Sequence, residues 1–180
     1  MRQARSTRPI LLPWIAAAAM FSGTVDAEVI SVSANGFEVR EQLHMDLPAD
    51  KIYEAILLPA RWWGSDHTYS GNAANMTLDP RAGGCWCEKL DNGGSVQHLQ
   101  VVYVAPGRAL RLRGALGPLQ AMAVDGAMTW TLKTSPKGTD LTLTYAVGGY
   151  AKDGFAALAT AVDQVLADQI GRLRALLQGS

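Results

Sequence analysis

Residues 153–178 read DGFAALATAVDQVLADQIGRLRALLQ. Phe155, Leu158, Ala159, Val162, Val165, Leu166, Ile170, Leu173, Leu176 and Leu177 recur at spacings of three and four. That spacing makes one stripe of a helix apolar and leaves the other side polar. Asp153 is placed to cap its start and Gly179 to end it. Such a helix is roughly 38 Å long, too long for a small domain unless something equally long lies beneath it. The residues before it read as strands, so the partner is expected to be a curved antiparallel sheet. Either the helix is simply core, or helix and sheet part company somewhere and leave a ligand cavity.

Working outward, Phe37 to Met45 alternates apolar and polar, as a half-buried strand does. Pro48 opens a helix, with Ile52, Tyr53, Ile56 and Leu57 on its buried face, and Pro59 stops it. Ala60 to Gly64 reads as a further helical turn, followed by the loop Ser65 to Gly71. Short strands follow at Met76–Leu78, Gly83–Leu90, Ser95–Val104 and Ala109–Arg113. Asn92-Gly93 is a strong hairpin signal. A two-residue turn there pairs Leu90 with Ser95, Glu88 with Gln97, Cys87 with His98 and Trp86 with Leu99. Gly114 to Gly126 is looser, and Ala127–Thr134 with Asp140–Val147 forms the last hairpin. Strand, short helices, more strands and long helix in that order define an α+β fold, with about six to seven antiparallel strands wrapped around the C-terminal helix.

The first 27 residues are expected to lie outside that fold. Arg2, Arg5 and Arg8 precede an apolar run from Ile10 to Phe21, and Val25-Asp26-Ala27 supplies small residues for cleavage before Glu28. This is the pattern of a signal peptide, and the run is too short to span a bilayer. The alternative is an uncleaved N-terminal anchor. No cysteine lies near the site, against a lipoprotein, and no Arg-Arg pair precedes the run, against twin-arginine export. The expected mature chain, residues 28–180, is a single domain in the periplasm or outside the cell. Setting aside Arg2, Arg5, Arg8 and Asp26 leaves 13 basic and 15 acidic residues, a net charge of −2. Nothing in that balance points to a nucleic acid.

Cys85 and Cys87 are the two cysteines. On a regular strand, residues two apart share a face at a separation awkward for a disulfide. Two free thiols, or a strained bridge at a bulge, are therefore expected. The hairpin register puts Cys85, Cys87 and His98 together on one face. A fourth ligand is not evident, so no metal is expected, and no cofactor.

Several strings, taken in order, resemble the START-like or SRPBCC superfamily and, within it, bacterial homologues of activators of the 90-kDa heat-shock chaperone ATPase. They are Leu47-Pro48-Ala49, Trp62-Trp63-Gly64, Leu78-Asp79-Pro80 with Gly83-Gly84, Pro106-Gly107-Arg108, Gly114 to Leu119, and Tyr145, Val147 and Gly149. The resemblance covers Phe37 to Leu177. It implies a helix-grip fold, and a function among apolar-ligand binding, polyketide cyclisation and chaperone modulation. Expected export departs from the last of these, because that chaperone is cytosolic.

There is no nucleophile-elbow serine, phosphate-binding loop, HExxH or dinucleotide fingerprint. Glu88 shares a face with Trp86 and Leu90. If that face is inward, burial raises its pKa and suits it to acid/base work; the plainer reading is a carboxylate satisfied by a neighbour. His67, beside Asp66, is the other acid/base candidate, although a loop histidine is usually just solvated. The expected ligand-binding set is Trp62, Trp63, Trp86, Glu88, Val101, Tyr103, Leu112, Trp130 and Tyr145, with Gly114 to Gln120 as a flexible rim. The leading expectation is an exported binder of an apolar or aromatic small molecule. The alternatives are a cyclase-like enzyme using Glu88 or His67, and a module that binds a protein partner.

Overall fold

A computed structural model describes residues 25–179; of the expected signal segment, residues 1–27, positions 1–24 lie outside the described residues, whereas Asp26 and Ala27 begin the first strand. Eight strands form one antiparallel sheet: β1 (Asp26–Ser33), β2 (Gly36–Met45), β3 (Met76–Leu78), β4 (Cys85–Lys89), β5 (Ser95–Ala105), β6 (Ala109–Arg113), β7 (Ala123–Ser135) and β8 (Gly138–Tyr150). Their order across the sheet is β1-β2-β8-β7-β6-β5-β4-β3. Among the described residues there are two α-helices, α1 (Ala49–Ile56) and α2 (Ala156–Gln178). The architecture is the expected α+β one, and an antiparallel sheet with a long C-terminal helix fits a helix-grip fold.

The strand count is eight, not six to seven. The extra strand is β1, over a segment for which the sequence pattern predicts no strand. Its side chains are exposed or half-buried throughout, so it carries no two-residue hydrophobic period. An edge strand needs only one neighbour, and β2 supplies it from Asp26↔Gln42 to Ser33↔Gly36. β7 and β8 also outrun their expected ends, pairing from Ala123↔Tyr150 to Ser135↔Gly138.

α2 packs on β1 and β2 and touches α1. It buries Ala159, Leu166, Gln169, Ile170 and Leu173. It begins later than expected: Asp153 does not cap it, because Gly154 turns the chain at φ 78° and buried Phe155 occupies the cap position. It ends as expected at Gly179, whose N–H reaches Ala175 O at 3.1 Å.

The rest of the inner sheet face is covered by α1 and by the segment after it. Trp62 and Trp63 meet Trp86 and Trp130 there, with ring centroids 5.0–6.1 Å apart and edge-to-face geometry. Aromatic rings favour this arrangement. Trp62 Nε1 donates to Ala55 O at 3.0 Å and Trp63 Nε1 to His67 O at 2.9 Å. Val101 and Leu112 lie in the same core, both fully buried. Trp62 and Trp63 thus fill the space over this aromatic part of the sheet.

The β4–β5 hairpin departs from expectation at its turn. Asp91–Gly93 forms a 3₁₀ turn with Asn92 at φ 56° and Gly93 at φ 80°, closed by Leu90 N–H to Gly94 O at 2.9 Å. Lys89, not Leu90, therefore pairs with Ser95, Glu88 with Val96 and Cys87 with Gln97. Trp86 nevertheless pairs with Leu99 as expected. The mismatch is absorbed by a bulge that leaves His98 as the extra residue, and both His98 and Leu99 point inward, 4% and 0% exposed. His98 is therefore not on the cysteines' face, a correction to the expected grouping. An extra, unpaired residue on the bulged strand produces this kind of local flip.

Cys85 and Cys87 form a disulfide with Cα atoms 5.3 Å apart, beside that bulge. Of the two expectations for the cysteines, the bridge at a bulge is the one observed. A second bulge on β5, between Val101 and Tyr103, turns Tyr103 outward. It is 47% exposed, with the Arg111 guanidinium 5.6 Å from its ring centroid.

Candidate functional site

Glu88 takes an inward slot on β4 and is 1% exposed. Its Oε1 accepts the Ser70 N–H at 2.5 Å, and its Oε2 accepts the Tyr69 N–H at 3.1 Å. His98 Nε2 lies 2.9 Å from the same Oε2. Burial pushes the Glu88 carboxyl up, but the hydrogen bonds from Ser70, Tyr69 and His98 outweigh it and hold the group below its ordinary value. The expected rise in its pKa is thus overturned. Burial lowers the His98 pKa more than Glu88 raises it. The pair at neutral pH is a carboxylate and a neutral imidazole donating through Nε2–H.

The purpose of this pair is legible in what it holds. Tyr69 and Ser70 follow the 3₁₀ turn Ser65–His67, and the Glu88 carboxylate anchors their backbone. The Tyr69 ring lies 5.9 Å from the His98 ring, and its hydroxyl donates to Gly117 O at 2.8 Å. Tyr69 thereby ties the 65–70 loop to the 114–121 segment. Tyr145 braces that segment from below: its hydroxyl donates to Gly114 O at 2.9 Å and accepts the Leu116 N–H at 3.1 Å. On the helix side, Gly64 N–H donates to buried Gln169 Oε1 at 2.7 Å.

Between these two loops and α2 lies a cleft of about 460 Å³. Leu158, Val162, Val165 and Leu166 line it from α2, Leu116 to Leu119 from the opposite lip, and Asp66 to Tyr69 at the rim. Its size falls in the range of small-molecule sites, and its walls are mainly apolar. A larger cleft of about 570 Å³ lies between the β2–α1, β5–β6 and β7–β8 turns. Asp46, Asp50, Arg108 and Lys137 line it with turn backbone, which suits water better than an apolar molecule.

Of the expected ligand-binding residues, none lines the apolar cleft. Trp62, Trp63, Trp86, Val101, Leu112 and Trp130 are packed core, and Tyr103 is on the outer face. Glu88 and Tyr145 touch the cleft only through the loops they brace. His67 does reach its rim, 3.9 Å from Asp66. The rim segment expected at Gly114 to Gln120 is one of its lips. Leu158, Val162 and Val165 were missed as lining. Their signal was present: the apolar stripe of α2 is wider than the five positions it buries.

No protein-family model and no curated protein sequence matches the chain. Solved structures do resemble it. A structural-genomics protein from Mesorhizobium loti aligns with TM-score 0.58 at 20% identity, over 79% of this chain and 98% of its own. One from Rhizobium leguminosarum aligns with TM-score 0.58 at 20% identity, over 87% and 99%. One from Rhodobacter sphaeroides aligns with TM-score 0.55 at 17% identity, over 86% and 100%. At these identities the likeness is one of fold.

Proposed function

We propose that the chain is an exported START-like domain that holds an apolar or aromatic small molecule between α2 and the 114–119 lip. The observation carrying this reading is that α2 turns Leu158, Val162 and Val165 toward the cleft while its neighbouring positions pack on the sheet. Apolar side chains left around a concave gap gain by being covered, roughly 25 cal/mol per Å². Tyr69, clamped by Glu88 and tied to Gly117, gives the cleft a defined lip. The acid/base alternative draws less support. Both Glu88 oxygens already accept hydrogen bonds, from the Tyr69 and Ser70 N–H groups and from His98, and the residue is 1% exposed.

The test is titration of the folded protein with the neutral fluorophore N-phenyl-1-naphthylamine, with intact mass measured on protein from its own host. About one saturable site is expected. Val162→Trp, which fills the cleft from its half-buried wall, should weaken it at least tenfold without lowering the melting temperature by more than a few degrees. Folded protein that ignores the probe overturns the binding reading. A native mass beginning at Glu28 supports export, and soluble cytoplasmic protein retaining Met1 overturns it.

A further inference from the structure

The Cys85–Cys87 bridge closes a ring around a single residue, Trp86. Such a short loop restrains the unfolded chain little, so the bridge is poorly suited to be a stability device. Both cysteines are half-buried, on the face of β4 opposite Trp86 and Glu88. A regular strand would hold their Cα atoms roughly 6.6 Å apart, whereas here they are 5.3 Å apart. The bridge therefore goes with a shortened β4, and the register against β5 slips at that same place, between Trp86 and Cys87. The next residue is Glu88, whose carboxylate holds the Tyr69 and Ser70 N–H groups.

We propose that Cys85–Cys87 is a thiol–disulfide exchange site for low-molecular-weight thiols, and that its redox state sets how tightly Glu88 holds the Tyr69 loop. A thiolate attacks one of the two Sγ atoms. A mixed disulfide forms, the Sγ–Sγ bond breaks, and the other cysteine leaves as a thiolate that takes up a proton. A second thiolate attacks the outer sulfur of the mixed disulfide, releasing the small-molecule disulfide and the second cysteine. Two thiols are oxidised, and the bridge accepts two electrons to become a dithiol. Freed of the bridge, β4 can lengthen by about 1 Å toward regular strand spacing. Glu88 then moves relative to Tyr69 and Ser70, whose loop forms the rim of the cleft.

The experiment equilibrates the folded protein in graded reduced and oxidised glutathione, traps thiols by alkylation and counts them by intact mass. Amide hydrogen exchange at Tyr69 and Ser70 is read on both forms. Two thiols should appear together across the glutathione series, and exchange at the two amides should quicken at least fivefold on reduction. Cys85→Ser with Cys87→Ser should reproduce the fast exchange without reductant, and Glu88→Gln should be fast in both redox states. A bridge that stays closed in excess reduced glutathione while the denatured chain is reduced overturns the exchange site, as does a native chain whose thiols never pair. Complete reduction with unchanged exchange at Tyr69 and Ser70 overturns the coupling. Neither readout requires a bound ligand, so both stand apart from the outcome of the probe titration.

Discussion

Two carboxylates occupy inward slots of the sheet, Glu41 on β2 and Glu88 on β4, and their ionisation runs in opposite directions. Glu88 is surrounded by donors. Glu41 is 1% exposed, and neither of its oxygens has a hydrogen-bond partner among the described residues. Burial, then Asp163 of α2 and, in the uncleaved chain, Asp26 of β1, push its pKa from 4.5 to about 8. In the unfolded chain the same group ionises at its ordinary value. Between those two values the folded state binds one more proton, so stability is full below about pH 4.5 and falls by about 1.4 kcal/mol per unit as pH rises toward 8. Glu41→Gln should remove that slope. Urea unfolding is expected to show the variant about 4–5 kcal/mol more stable than the parent at pH 8, and nearly equal to it at pH 4.5. An equal difference at both values would count against an ionising Glu41. The inward position of both carboxylates is legible in two-residue alternation. Their opposite fates are not, because the donors to Glu88 come from residues 69, 70 and 98, and Glu41 meets none among the described residues.

At the scale of elements, β5 explains most of what strand periodicity misassigned. Alternation holds only while every residue is paired, and β5 has two extra residues. His98 turns inward at the first bulge, and past the second Tyr103 turns outward. The β5 residues expected to line a cavity, Val101 and Tyr103, rest on that alternation, and those of the other strands on a sheet face expected to meet α2. Instead Trp62 and Trp63 fill the space. The bulge at His98 makes a specific prediction. Deleting His98 leaves Trp86 opposite Leu99 and Cys87 opposite Gln97 as consecutive pairs, so every other side chain keeps its face. The chain should fold, with a loss of about 1–3 kcal/mol for the missing partner of Glu88. Deleting Gln100 instead reverses the faces of neighbouring residues and should abolish folding. Circular dichroism and urea unfolding of the two deletions measure this; equal outcomes would refute the register.

For the whole molecule, the order of elements was readable because strands, turns and the long helix each carry local signals. The position of α2 was not, since it depends on which part of the sheet the 59–67 segment already covers. The sheet itself has one long-range seam. β3 to β8 pair mostly with their chain neighbours, but β2 pairs with β8, from Gly36↔Gly148 to Met45↔Thr139. Contacts so distant in sequence are the slow ones to form. Val39→Ala, in that seam, is therefore expected to speed unfolding roughly tenfold with little effect on the folding rate, whereas Leu110→Ala, in the local β5–β6–β7 meander, should slow folding. Stopped-flow chevrons of the two variants decide it, and the reverse pattern would place the seam in the folding nucleus. The same seam bears on synthesis. A nascent chain has β1 and β2 in hand from the start, yet their place in the sheet does not exist until β8 has cleared the ribosome. Until then the polypeptide lacks the strand that joins β2 to the local meander, and its sheet stays open.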